Sequence, residues 1–235
     1  MINLSADLGE GSPGEDEIWP LIDSANVACG GHVGDAQSMH DAVRRAGEHG
    51  VKLGAHPSYP DRENFGRRSL TIAPDALRES LIAQISALRA FGDVRHVKPH
   101  GALYNDAHKD RALADVIVDA LRAVDPTIAL VAPDHSRMAA AARAAGTPVI
   151  REAFADRRYE PDGALVSRKE PGSTLTIEEA ATQAALLASD GVVIARDGSR
   201  VALHFDTLCI HADMEGAVER LRAIRASIGR NAVAP

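Results

Sequence analysis

The sequence predicts an α/β fold of parallel strands joined by crossover helices, on three observations. Short runs rich in Val, Ile, Leu and Ala alternate with segments of helical period roughly seven times along 235 residues. No composition shift or Pro/Gly/Ser-rich linker interrupts the alternation, so one domain over residues 1–235 is expected. Polar side chains cluster just past the apolar runs, where parallel α/β folds bind ligands. A closed barrel and a doubly wound sheet both satisfy this pattern, and the length suits either.

The elements are read in order. Buried strands are expected at 2–6, 25–29, 51–55, 94–98, 128–132, 148–151 and 203–210. A helix at 35–49 opens on Asp35 as N-cap and stops at Gly50. The helix at 74–91 starts with Pro74 in its first turn and ends before Gly92. It places Leu77, Leu81, Ile82, Ile85 and Leu88 on one face. Similar helices fit 108–124, 134–145 with Asp134 as cap, 177–189 and 214–228. The stretch FADRRYEPDGALVSRKEPGST, 154–174, is the least regular and reads as a long functional loop with a short hairpin at 164–168.

Composition narrows the function. Aromatic residues are 3% of the chain, so the core is aliphatic. A formal charge of −7 argues against a general nucleic-acid binder. Arg alternates with acids along the helical segments, as on a solvated face. Cys29 and Cys209 stand far apart with no CxxC, which fits a reduced, cytoplasmic setting. No apolar run approaches the length of a membrane span, and no basic stretch leads into an apolar export signal.

The strand ends carry Asp7 and Glu10, Asn26 and His32, His56, Lys98 and His100, Asp134 and His135, Glu152 and Asp156, and His211 and Asp213. Buried groups of this kind are tolerable only when they partner one another, a metal or a substrate. Asp7, His56 and His100 can form a carboxylate–histidine metal site across three strands. The same three can serve as an acid–base set without a metal. His40 and His49 lie on a solvated helix and carry no signal. In NFGRRSL, 64–70, Arg67 and Arg68 can clamp a carboxylate or phosphoryl oxygen. In REAFADRRY, 151–159, an internal ion pair that positions the loop is as reasonable as direct chemistry. There is no GxxxxGK[ST] or GxGxxG cradle for a nucleotide, no HExxH and no GxSxG elbow.

Six segments, NLSADLGEG, NVACGGHVGD, GAHPSYPD, FGRR, KPHGALYN and REAFADRRY, resemble in this order the signatures of the LamB/YcsF family, over residues 3 to about 213. The family commonly has an aromatic residue and Ala where this chain has Gly31 and Val33. The resemblance implies an irregular seven-stranded β/α (TIM-like) barrel of the glycoside hydrolase/deacetylase type. It implies the role of the A-type component of an ATP-dependent 5-oxoprolinase, which converts 5-oxo-L-proline to L-glutamate with partner subunits of the PxpB and PxpC type. ATP would act through that complex, since this chain shows no cradle of its own; a divalent metal is a further expected cofactor.

Roles follow from that resemblance. Asp7, alone or through a metal with His56 and His100, would position and deprotonate water. Lys98 would stabilise charge on the carbonyl-derived oxygen, with Glu152 also in the catalytic set. Asn26, His32, Arg67, Arg68, Tyr104 and Asn105 would bind substrate, the two Arg through its carboxylate. A metal-dependent amidohydrolase or deacetylase working without ATP is one competing reading. A non-catalytic subunit that presents 5-oxoproline to its partners is another.

Overall fold

The structure is a computed structural model that describes residues 2–230. In chain order the elements begin with β1 (Asn3–Leu8), α1 (Glu15–Ile18), a 3-10 turn at Trp19–Leu21, β2 (Ser24–Ala28), α2 (Ala36–His49) and β3 (Lys52–His56). Then come α3 (Pro74–Arg89), β4 (His96–Val97), α4 (Gly101–Lys109), α5 (Arg111–Val124), β5 (Ala129–Ala132), α6 (Arg137–Ala144) and β6 (Val149–Phe154). The last are α7 (Ile177–Asp190), β7 (Val192–Ile194), β8 (Arg200–Ala202), β9 (Thr207–Ile210) and α8 (Ala217–Arg230).

Seven strands close a barrel in the order β1-β2-β3-β4-β5-β6-β9, every pair parallel. Alternation along β1 sets Leu4, Ala6 and Leu8, all fully buried, on one face and Asn3, Ser5 and Asp7 on the other. The second face points into the bore, where Thr207 Oγ1 donates to Ser5 Oγ at 3.1 Å and Asn3 Nδ2 donates to Ser24 Oγ at 2.9 Å. Aliphatic side chains such as Leu77, Leu81, Ile85, Leu103, Ile117 and Leu121 carry the helices and lie fully buried. No described helix is long and apolar enough to cross a membrane.

Helix ends explain where local sequence was decisive. Asp35 caps α2, accepting from Ser38 N at 2.9 Å while Ser38 Oγ accepts from Asp35 N at 2.9 Å, and Gly50 closes it in a left-handed conformation. The expected cap at Asp134 is corrected. Ser136 caps α6, accepting from Ala139 N at 3.0 Å, and Asp134 pairs instead with Arg143. The expected helix at 108–124 is two helices. Asp110 divides them because its carboxylate accepts from Ala112 N and Leu113 N, at 2.8 and 3.2 Å, and starts α5 afresh.

The strand expected at 203–210 covers only Thr207–Ile210. Before it stands an antiparallel ribbon, Val192↔Ala202 to Ile194↔Arg200, turned at Asp197 and Gly198. No strand pair forms within 164–168; that loop instead makes single bridges, Tyr159↔Leu165 and Arg157↔Thr174. The strand expected at 94–98 is reduced to His96–Val97, although Arg95 N and Lys98 N still donate to Leu53 O and Ala55 O at 2.8 and 2.9 Å.

Candidate active site

The carboxyl ends of the strands open into one cavity of about 860 Å³. Asp7 reaches it from β1, Glu10 from the following loop, and His56 from the end of β3. Lys98 and His100 flank Pro99 between β4 and α4, Glu152 stands on β6, and His211 follows β9.

Lys98 is the centre of charge. Its Nζ donates to Asp7 Oδ1 and Oδ2 at 3.0 and 3.2 Å and to Cys209 Sγ at 3.0 Å. It also lies 2.9 Å from Glu152 Oε1, an ion pair without hydrogen-bond alignment, while Tyr104 OH donates to Glu152 Oε2 at 2.7 Å. Burial alone would discharge such a lysine. The carboxylates of Asp7 and Glu152 with the Cys209 sulfur reverse this and hold its pKa well above the ordinary value. For Asp7 burial pushes upward, and the positive charges of His56 and Lys98 outweigh it, so the carboxyl lies well below its usual range. Asn26 Nδ2 donates to Asp7 Oδ1 at 2.9 Å, and the same Asn accepts from His96 Nε2 at 2.9 Å. Gly54 makes room for that histidine: a Cβ there would fall 2.1 Å from His96 Nε2.

The second group is imidazole-rich. His56 Nδ1 donates to Lys98 O at 2.7 Å, and His100 Nε2 donates to Phe65 O at 3.0 Å. A carbonyl oxygen only accepts, so each of these nitrogens carries a proton. The other two, His56 Nε2 and His100 Nδ1, face each other at 3.0 Å. Glu10 Oε1 lies 3.5 Å from His100 Nδ1, 3.9 Å from His56 Nε2 and 3.1 Å from His32 Nε2. His32 stacks on His100 with ring centroids 3.7 Å apart. Burial lowers the pKa of His100 to about 2 and of His32 to about 3, each helped by the neighbouring His56 charge. Burial also disfavours the charge on His56, but the Asp7 carboxylate more than compensates and raises it. Glu10 is lifted to about 7, first by burial.

Glu10, His56 and His100 present three ligand atoms within 4.8 Å of one another. The donor set fits a divalent ion. Two ring nitrogens about 2.1 Å from one ion stand roughly 3.0–3.4 Å apart, and each ring is anchored through its other nitrogen to a carbonyl, as ligand histidines are. The carboxylate in this triad is Glu10; the expected Asp7 stands beside it, its Oδ2 3.4 Å from His56 Nε2, and also bonds Lys98 and Asn26.

Across the cavity, the fully buried Asp156 carboxylate accepts from His211 N at 2.9 Å and from His211 Nδ1 at 2.9 Å. Burial would raise this carboxyl, but the His211 charge and both hydrogen bonds hold it down to about 2. The His211 ring stacks on Phe154 at 5.5 Å. With Nδ1–H taken by Asp156, Nε2 is the nitrogen left for a ligand.

Comparison with known proteins identifies the lineage. The model of the LamB/YcsF family matches residues 2–234. The chain belongs to the LamB/YcsF family. A Methylococcus capsulatus protein named as the A component of 5-oxoprolinase is 44% identical, with 99% of this chain and 94% of that protein covered. The crystal structure of a lactam utilization protein from Thermus thermophilus superposes with a TM-score of 0.92 at 42% identity, covering 99% of this chain and 97% of the other. A family 4 carbohydrate esterase from Streptomyces lividans shares the fold alone, with a TM-score of 0.50 at 10% identity over 98% of this chain and 88% of that one. The LamB/YcsF chain is thus an irregular seven-stranded β/α barrel, the closed sheet deciding for the barrel over the doubly wound alternative.

Within this LamB/YcsF barrel the expected site residues divide. Asp7, His56, Lys98, His100, Tyr104, Glu152, Arg67 and Asn105 line the cavity. Asn26 and His32 stand behind that lining, supporting Asp7 and His100, and Arg68 is exposed away from it. Arg67 is half exposed and paired with Asp213. Glu10, His211 and Arg157, given no role from sequence, also line the cavity. Gly9 and Gly11, both in left-handed backbone, mark the tight loop that folds Glu10 back over the barrel mouth.

Proposed function

We propose that this chain is the ring-opening subunit of an ATP-dependent 5-oxoprolinase. The observation that carries the reaction class is the pairing of two proton-handling centres across one cavity, the Asp7–Lys98 ion pair and the Asp156–His211 dyad. The substrate is taken from the Methylococcus relative, whose name is that of a 5-oxoprolinase component.

A five-membered lactam resists water because its amide is resonance-stabilised and ring closure is favourable. Hydrolysis needs a deprotonated water, a partner for the developing oxyanion and a proton for the departing nitrogen. Asp7, ionised and aimed into the cavity, receives the proton of the attacking water. Lys98, kept charged by Asp7 and Glu152, faces the carbonyl-derived oxygen. When the carbon–nitrogen bond breaks, its electron pair stays on nitrogen, and His211 as an imidazolium supplies the proton from Nε2, leaving the neutral ring with its Nδ1–H on Asp156. A divalent ion held by Glu10, His56 and His100 would supply Lewis acidity and lower the pKa of its bound water, which suits a base as weak as Asp7. ATP is used by partner subunits of the PxpB and PxpC type, in keeping with the missing nucleotide cradle.

The test is glutamate release from 5-oxo-L-proline by the purified chain, with and without partner subunits, ATP and divalent metal. Release only from the complete mixture supports the reading. Release by the isolated chain with metal and no ATP replaces it with an autonomous amidohydrolase.

A further inference from the structure

Six cations line the cavity: Arg67, Lys98, Lys109, Arg157, Arg168 and Lys169. Lys98 is neutralised by Asp7 and Glu152. Arg67 and Arg168 share Asp213 and are half exposed, and Lys109 and Lys169 are exposed. Arg157 differs from all of them. It is only 5% exposed, and among the described residues no carboxylate comes within 4.0 Å of its guanidinium. Its Nε donates to Ser173 O at 3.2 Å and one Nη to Val166 O at 2.6 Å. A guanidinium has five N–H donors, so three remain, including both on the other Nη. The adjacent acid, Asp156, is turned to His211.

A buried cation without a counter-ion is costly, and a structure keeps one where an anion is to arrive. Burial already pulls the Arg157 pKa below the ordinary arginine value, with the like charge of Arg168 adding to it. The site is also rigid. Arg157 O accepts from Gln183 Nε2 at 2.9 Å, and the two carbonyls fix the plane of the fork. One desolvated positive charge with a free planar edge matches one carboxylate bidentately, whereas a phosphate dianion would call for a second buried cation.

We propose that Arg157 is the seat for the carboxylate of the ligand in this cavity, a role expected from sequence of Arg67 and Arg68. The proposal rests on the 5-oxoprolinase reading only for which acid is bound. Arg67, already paired and solvated, contributes little to that recognition.

Isothermal titration of the full chain with 5-oxo-L-proline, its carboxamide, acetate and inorganic phosphate tests this on the wild type, Arg157→Gln and Arg67→Gln. The wild type is expected to bind 5-oxo-L-proline at least tenfold more tightly than the carboxamide. Arg157→Gln loses that ratio and Arg67→Gln keeps it. If neither lactam binds but acetate does, in the wild type and not in Arg157→Gln, the seat stands and the lactam reading falls. A ratio that survives in Arg157→Gln, phosphate displacing acetate from the seat, or no carboxylate favouring the wild type overturns the seat itself. Should Arg157→Gln fail to fold, guanidinium NMR of the wild type decides: the Arg157 Nη signals move with 5-oxo-L-proline and not with the carboxamide, and equal behaviour toward both overturns the proposal.

Discussion

His56 Nε2 and His100 Nδ1 stand 3.0 Å apart while the opposite nitrogen of each ring is bound to a backbone carbonyl. Two lone pairs cannot share that gap unaided. A proton on His56 or a metal ion must lie between them, and the Glu10 carboxylate beside them favours either cation.

Metal content is therefore measurable directly. Dialysed wild-type chain is expected to retain close to one zinc- or manganese-class ion when it is supplied in slight excess. His56→Ala and His100→Ala should each weaken retention by at least tenfold, with Asp7→Asn much less affected. Elemental analysis against protein concentration reads the result, and an ion bound equally well by His100→Ala would disprove the triad.

Asp7→Asn should reduce turnover by about 10²–10⁴-fold in the reconstituted complex, the usual range for a positioned acid–base group. Lys98 keeps Glu152 as counter-charge, so the variant should still fold, with a somewhat lower Tm. Glutamate release together with thermal unfolding separates the two effects. Near-normal turnover removes Asp7 from the chemistry.

The Asp156–His211 pair predicts a pH dependence of stability. The folded carboxyl lies at about 2, below its ordinary 3.8, so its contribution is fully present above the unfolded value and is lost as pH falls through the folded one. That difference corresponds to about 2 kcal/mol. In urea titrations between roughly pH 5 and pH 2, Asp156→Asn should be less stable than the wild type at the upper end and converge toward it at the lower. The same substitution should reduce turnover strongly, because Asn no longer dictates which nitrogen of His211 carries the proton.

Gly54→Ala tests the packing under the site. The added methyl would meet His96 at 2.1 Å, with the Asn26 hydrogen bond fixing that ring in place. Overpacking of this kind costs about 1–3 kcal/mol. A lowered urea midpoint with a reduced kcat is expected, and an unchanged midpoint would show that the ring can swing clear.

Much of the frame was readable because its signals are local. Asp35 and Gly50 bracket α2, and Pro74 opens α3, through short-range backbone chemistry. Convergence of Asp7, His56, Lys98 and His100 follows from the parallel alternation itself. What escaped depends on partners distant in the chain. Glu10 acquires its neighbours only when a glycine-flanked loop folds back toward β3 and β4. Arg157 looks like a mate for Asp156 until His211, 55 residues later, takes that carboxylate. Asp134 and Ser136 are both good caps, and Arg143 decides between them by claiming Asp134. The ribbon before β9 did carry a local mark, Asp197-Gly198, the turn pair that hairpins favour.

The barrel is sealed by β1 against β9, with Thr207 bonded to Asn3 across 204 residues of chain. Loop-closure entropy makes such a long-range seam slow to form. During synthesis on the ribosome Asp7 emerges about two hundred residues before its facing wall, with Cys209 and His211, is made. A nascent chain would therefore hold its unpaired charges in water until that wall has left the exit tunnel, and competence would arrive in one late step rather than by degrees.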